Sequence, residues 1–132
     1  DQLAELHAVV EAIGADIDTD HDLLRPAGGY DIHFVIDREA TGADRLHARA
    51  HEPRSGRILE VWSTEPGLQF YSGNFLDGSL EGKGKVHAHR SGFCLEPQHF
   101  PDSPNKPGFP PVALQPGETY QTRIVYRFST TE

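Results

Sequence analysis

The sequence predicts an all-β protein, mostly antiparallel strands packed as two sheets, and three observations predict it. Thirteen glycines and ten prolines punctuate 132 residues too often for long helices. Between those breaks lie short β-branched and aromatic runs, among them the stretch from Tyr30 to Asp37 and the stretch from Ile58 to Thr64. Near the C-terminus Tyr120, Thr122, Ile124, Tyr126 and Phe128 alternate with Gln121, Arg123, Arg127 and Ser129, the period-two pattern of a strand with one buried and one wet face.

Taken in order, residues 1–14 place Leu3, Leu6, Val10 and Ile13 at helical spacing, with Asp1 as N-cap and Gly14 as the stop, so this segment is expected to be a helix. A strand follows from Tyr30, entered through the Gly28-Gly29 pair. Leu46, Ala48 and Ala50 alternate with His47, Arg49 and His51, and the turn-like residues 52–57 lead into the next strand, which makes a hairpin. Residues 68–76 and 85–98 are further strand candidates, separated by a glycine-rich connection. No repeat or linker interrupts the chain, and residues 1–132 are expected to form a single domain.

Composition excludes several classes. A net charge of -8, from 20 acidic against 12 basic residues without basic runs, argues against binding nucleic acid, whose phosphates require clustered Lys and Arg. No apolar run is long enough to cross a bilayer, so no membrane partner is expected. One cysteine, Cys94, permits no internal disulfide, and the cytoplasm is the expected compartment.

Glu96 is the candidate that organises the rest. A strand through residues 93–98 puts Cys94, Glu96 and Gln98 on one face and Phe93 and Leu95 on the other. The carboxylate is then either an edge-strand charge that blocks aggregation or a base at a pocket wall, and Pro97 marks an edge or bulge in both cases. Cys94 lacks a neighbouring Cys/His signature and is expected only to pack. His87 and His89, and His47 and His51, could each point to one side of a strand, but no tight ligand cluster surrounds them and no metal is expected. Gln69, Phe70, Tyr71, Asn74 and Phe75 combine amides and rings, a mix that suits a sugar and equally an ordinary hairpin. Asp31 could accept from vicinal hydroxyls or cap a turn.

Four separated motifs, GGYDIHFVID, EPGLQFYSGNFLDG, SGFCLEPQHFPDSPN and FPPVALQPGETYQTRIVYRFS, together resemble the C-terminal part of the aldose 1-epimerases, the galactose mutarotases. The resemblance runs from around Ile13 to Ser129 and implies a large β-sandwich of twisted antiparallel sheets, of which this chain would be the C-terminal portion. It implies interconversion of the α and β anomers of hexoses such as galactose or glucose, with no cofactor. Glu96 then corresponds to the general base, Asp31 binds sugar hydroxyls, and Gln69 lines the pocket. Phe93, Leu95 and Phe100 are expected to give the base a partly apolar wall.

Two departures accompany the resemblance. The family's acid is a histidine from its N-terminal part, and none of His7, His21, His33, His47, His51, His87, His89 or His99 sits in a matching motif. The family's histidine after the aspartate of the GYD motif is replaced by Ile32, with His33 one position later, and a one-residue shift in a strand changes the face. The chain therefore reads as a fragment of a longer enzyme, as one subunit of a split one, or as a shortened homologue that binds sugar without turnover. Its raw strand edges are expected to pair with an N-terminal half, on the same or another chain, or with a second copy.

Overall fold

The structure, a computed structural model, describes residues 3–4, 13–36 and 44–131. Among these, strands dominate. They are β1 (Leu3–Ala4), β2 (Asp31–Val35), β3 (Arg45–Glu52), β4 (Arg57–Ser63), β5 (Gly67–Tyr71), β6 (Glu81–Gly82), β7 (Lys85–Val86), β8 (Cys94–Gln98) and β9 (Ile124–Thr130). A single helical turn, α1 (Ile13–Asp16), and two 3-10 turns at Arg25–Ala27 and Ser103–Asn105 complete the secondary structure. The strands form a four-stranded sheet in the order β1-β2-β5-β8, a three-stranded sheet in the order β3-β4-β9, and the small β6-β7 ribbon. Every pairing is antiparallel except that of β1 with β2.

The helix expected over residues 1–14 is not what the described part of that segment forms. Leu3–Ala4 is a strand laid parallel against His33 and Phe34, and the one helical turn begins at Ile13, with Gly14 inside it rather than after it. The open edge of β2 offers backbone partners to Leu3 and Ala4, and such tertiary pairing overrides a weak helical periodicity. Residues 1–2 and 5–12, which include Asp1, Leu6 and Val10, lie outside the described residues.

Alternation along β2 and β5 makes the first sheet two-faced. Ile32, Phe34 and Phe70 point to one side and join Leu24 and Tyr30 in the hydrophobic cluster, against which Ile13, Ile17, Leu23 and Leu95 pack. Tyr30 and Phe70 meet with ring centroids 5.0 Å apart. Entry into β2 depends on glycine. Gly29 sits at φ +141°, and a Cβ there would collide with the Asn74 carboxamide. That carboxamide donates to Tyr30 O at 2.9 Å and accepts from the Ser72 hydroxyl at 2.7 Å, so the turn after β5 clamps the start of β2. Arg90 adds a second clamp, donating from Nη2 to Asp18 Oδ1 at 2.7 Å and to Gly28 O at 2.9 Å.

The second sheet corrects two expectations. In β3 the register shifts between Leu46 and Ala48, a bulge that turns His47 inward to 3% exposure and leaves Leu46 44% exposed, the reverse of simple alternation. The final strand begins at Ile124, and its expected buried face is open: Ile124, Tyr126 and Phe128 are 41%, 49% and 76% exposed. On that face only the Tyr126 hydroxyl reaches β8, donating to Leu95 O at 3.2 Å, and the strip of Ile124 and Phe128 stays largely open, whereas the other face carries an ordered charge ladder. There Glu60 stands between Arg49 at 3.7 Å and Arg127 at 3.6 Å, and the Arg127 guanidinium lies 5.2 Å from the Trp62 ring centroid. The expected strand over 85–98 is two separate pieces, β7 and β8, because Arg90 takes a positive φ of 54° and turns the chain between them.

Candidate active site

The face of the first sheet opposite the hydrophobic cluster is polar across three strands. Directly paired residues in antiparallel strands share a face, and residues two apart on one strand share it too. Asp31 pairs with Tyr71, and Tyr71 with Cys94; His33 pairs with Gln69, and Gln69 with Glu96; Gly67 pairs with Gln98. Asp31, His33, Gln69, Tyr71, Cys94, Glu96 and Gln98 therefore form one surface, built by β2, β5 and β8.

All three residues singled out in the sequence stand on this surface. Gln69 is the central one: its Nε2 donates to Asp31 Oδ1 at 2.7 Å, and it faces Glu96 directly across β5 and β8. Asp31 and Glu96 are exposed, so both carboxylates have oxygen lone pairs available to a ligand. Cys94 lies two residues from Glu96 on the same strand, is exposed, and bears a thiol whose pKa is raised by burial of the sulfur, by the Glu96 carboxylate and by the charge of Asp31. Its environment keeps it protonated, which makes it a poor nucleophile.

The apolar wall expected around Glu96 has a different position. Phe93 lies against Phe70 on the cluster side with ring centroids 6.3 Å apart, and Leu95 packs there as well. Leu95 alternates with Glu96 in β8, so its side chain leaves the sheet on the side away from the carboxylate, and Phe93, just before the strand, lies on that same side. Phe100 is buried, but it abuts His33, edge-on at 5.7 Å, rather than walling the carboxylate.

Sequence reasoning placed Cys94, Glu96 and Gln98 together and singled out Tyr71 beside Gln69, but it did not join either group to His33 and missed the buried polar cluster at Glu65. The signal for His33 and Tyr71 was present, since Asp31 and His33, like Gln69 and Tyr71, are two apart on their strands. The shift noted after Asp31 has a simple consequence: Ile32 points into the hydrophobic cluster, and His33 rejoins the polar face at 4% exposure. Tyr71 accepts from Phe75 N through its hydroxyl at 2.8 Å and stacks on the Phe75 ring at 5.8 Å, leaving Phe75 67% exposed beside the polar surface. Glu65, 4% exposed, accepts from the Tyr120 and Thr122 hydroxyls and sits 3.0 Å from His99 Nδ1, which fastens the segment before β9 to the β4–β5 connection. Among the described residues, no group of three or more His, Cys, Asp and Glu stands close enough to hold a metal ion.

Comparison with known proteins gives this arrangement its class and then its family. The fold is that of aldose epimerase structures: the chain superposes on a GalM/aldose epimerase homologue from C. elegans with a TM-score of 0.67 and 32% identity, over 77% of this chain and 30% of that one. The family model for aldose 1-epimerase matches residues 4–127, and the chain belongs to that family. Relatives include the galactose mutarotase of Homo sapiens, 51% identical over 104 residues, and the aldose 1-epimerase of Escherichia coli, 37% identical over 109. The matches cover 76% and 81% of this chain but 29% and 31% of those proteins, so the chain spans under a third of the length of the curated relatives it matches.

Proposed function

We propose that this chain supplies the base side of an aldose 1-epimerase site, which interconverts the α and β anomers of a free hexose such as galactose or glucose. The single observation that carries the reading is the shared face of Asp31, Gln69 and Glu96 across three strands of a chain from this family, with Gln69 hydrogen-bonded to Asp31 and paired with Glu96. In it Glu96 takes the proton from the anomeric hydroxyl while an acid protonates the ring oxygen; the bond from C1 to the ring oxygen breaks and the open aldehyde forms. Rotation about C1–C2 and reclosure on the other face, in which the C5 hydroxyl gives its proton back to the acid and Glu96 returns its own to the anomeric oxygen, give the second anomer. Asp31 accepts from sugar hydroxyls through the lone pairs that Gln69 leaves free, and the exposed Phe75 ring beside Tyr71 offers an apolar platform to the sugar's C–H face. No organic cofactor enters this chemistry.

The acid belongs to a segment that no motif of this chain matches, and the open face of β9 is where we place its carrier. Ile124, Tyr126 and Phe128 present a contiguous apolar strip, and the Tyr126 hydroxyl, which donates to Leu95 O at 3.2 Å, brings that strip alongside β8. An N-terminal half on the same or another chain, or a second copy, would cover it. The unpaired thiol of Cys94 beside the site suits a reducing compartment, and we read the cytoplasm as the location.

Polarimetry on freshly dissolved α-galactose tests the reading. Faster mutarotation that disappears in Glu96→Gln supports the epimerase. Saturable galactose binding with no faster mutarotation instead supports a carbohydrate-binding module that keeps only the contacts of Asp31 and Gln69.

A further inference from the structure

Gly67 leaves the middle strand of the polar face without a side chain at its first position. It pairs with Gln98 on β8 and with Val35 on β2, and His33 stands two residues before Val35. A Cβ at Gly67 would collide with the His33 ring at Nε2 and Cε1, so the ring lies over the glycine. From the other side Gln98 reaches across β5, and its Nε2 stands 3.5 Å from His33 Nδ1. Phe100 meets the ring edge-on at 5.7 Å and is itself met edge-on by Phe109 at 5.4 Å; His33 is 4% exposed.

The chemistry of the two groups fixes how they meet. A carboxamide nitrogen only donates, so Nδ1 accepts from Gln98 through its lone pair in a long hydrogen bond, and the one proton of the neutral ring is on Nε2. Burial lowers the pKa of His33, which keeps the ring neutral near pH 7 and that lone pair available. Nε2 is buried and meets no hydrogen-bond partner among the described residues. An orphaned buried N–H destabilises the fold, and a phenyl ring of similar size would not. What the imidazole adds is the acceptor at Nδ1. With its nitrogen turned to the ring, the Gln98 carboxamide presents its oxygen on the opposite side. The partly exposed side chain thus offers that oxygen to the polar surface beside Glu96, two residues away on the same strand.

We propose that Gln98 is a further sugar-binding residue: its carboxamide oxygen, oriented by His33 Nδ1, accepts from the 2-hydroxyl of the hexose while Glu96 acts on the anomeric one. The substrate's own chemistry selects that hydroxyl. Cys94, Glu96 and Gln98 follow one another on one face at steps of about 7 Å, and Asp31 lies in the row of Tyr71 and Cys94. A hexose with its anomeric carbon at Glu96 and its distal hydroxyls at Asp31 turns only the neighbours of that carbon toward Gln98. One neighbour is the ring oxygen, which has no hydrogen to donate; the other is C2, whose hydroxyl has one. This rests on the epimerase reading for the identity of the ligand but not for the geometry of His33 and Gln98. His33 is the positioning residue, acting through Gln98.

Calorimetric binding of galactose and 2-deoxygalactose to the intact protein tests it. The parent is expected to favour galactose about fivefold, the worth of one neutral hydrogen bond. Gln98→Leu is expected to bring the two sugars within about twofold of each other. His33→Phe, which keeps a ring without nitrogens, should lose the same preference, and His33→Asn, whose side-chain oxygen accepts where Nδ1 did, should keep most of it. A merely structural role would weaken both sugars alike and leave their ratio unmoved. A parent that binds both sugars equally, or a preference that survives Gln98→Leu, overturns the assignment of Gln98; a preference that survives His33→Phe overturns that of His33. A protein that binds neither sugar refutes the epimerase reading instead. Long-range nitrogen-15 NMR of the imidazole then still decides the geometry: a neutral ring protonated at Nε2 is expected at pH 7, and one protonated at Nδ1 overturns it.

Discussion

Gln69 stands between the carboxylates of two other strands, bonded to Asp31 on β2 at 2.7 Å and paired in register with Glu96 on β8. A neutral amide thus separates two acidic side chains on one exposed surface. Gln69→Glu would set three carboxylates side by side. Each like-charged neighbour destabilises by about 1 kcal/mol at these exposures. Repulsion raises the pKa of the new acid in the folded state, so the variant's stability is retained at low pH, where the acid is protonated, and is lost as pH rises through its folded pKa. Melting temperatures of variant and parent should converge near pH 4 and separate toward pH 7; parallel curves would count against that arrangement.

Cys94 reports on Glu96 without any sugar present. Burial and the neighbouring carboxylates hold its thiol above the usual range. Glu96→Gln removes a charge two residues away on the same face, so the thiolate fraction rises. Alkylation by iodoacetamide at pH 8 is expected to accelerate about threefold or more. An unchanged rate would separate the two side chains and with them the shared face.

Gly67 is a strand glycine with a packing reason. A Cβ there meets the His33 ring and comes within 3.0 Å of Phe34 O. Gly67→Ala is expected to lose about 1–3 kcal/mol in urea denaturation, the usual cost of overpacking. Made in a His33→Ala background, the same substitution should cost markedly less, and the coupling isolates the ring's share of the clash.

His47 gives the fold an acid limit. The bulge in β3 buries it beside Ser63 and Glu65, and burial, followed by the positive charge of Arg45, pushes its pKa down from 6.5 to about 4. The unfolded chain then binds a proton that the folded chain refuses. Stability is complete above pH 6.5 and falls as pH drops toward 4, by about 3 kcal/mol from this one group. His47→Leu should flatten that limb of the pH–stability curve; an equally steep limb would assign the acid sensitivity to other groups.

Several features were legible because they are properties of a strand on its own. Alternation in residues 94–98 placed Glu96 with Cys94 and Gln98, and the same rule applied to β2 separates Asp31 from Ile32. Gly28-Gly29 marked the entry to β2, which the positive φ of Gly29 and its contact with Asn74 explain. Other features depend on partners distant in sequence. The bulge that buries His47, the parallel pairing of Leu3–Ala4 and the Glu65 cluster each depend on which strand lies alongside, and local periodicity does not encode that choice. Alternation at the C-terminus revealed an apolar face on β9 but not its exposure, because a pattern identifies the side that seeks a partner and not whether the chain supplies one.

By itself, the sequence determined the β-rich class and the family and nominated Asp31, Gln69 and Glu96 as candidates, since residue types and two-residue periodicity are written along the chain. Only the tertiary structure decided that β5 lies between β2 and β8, which brings three residues far apart in sequence onto one face. Strand order is set by backbone pairing and by burial of Ile32, Phe34 and Phe70 against residues 13–30, forces that act between segments and appear only when they meet.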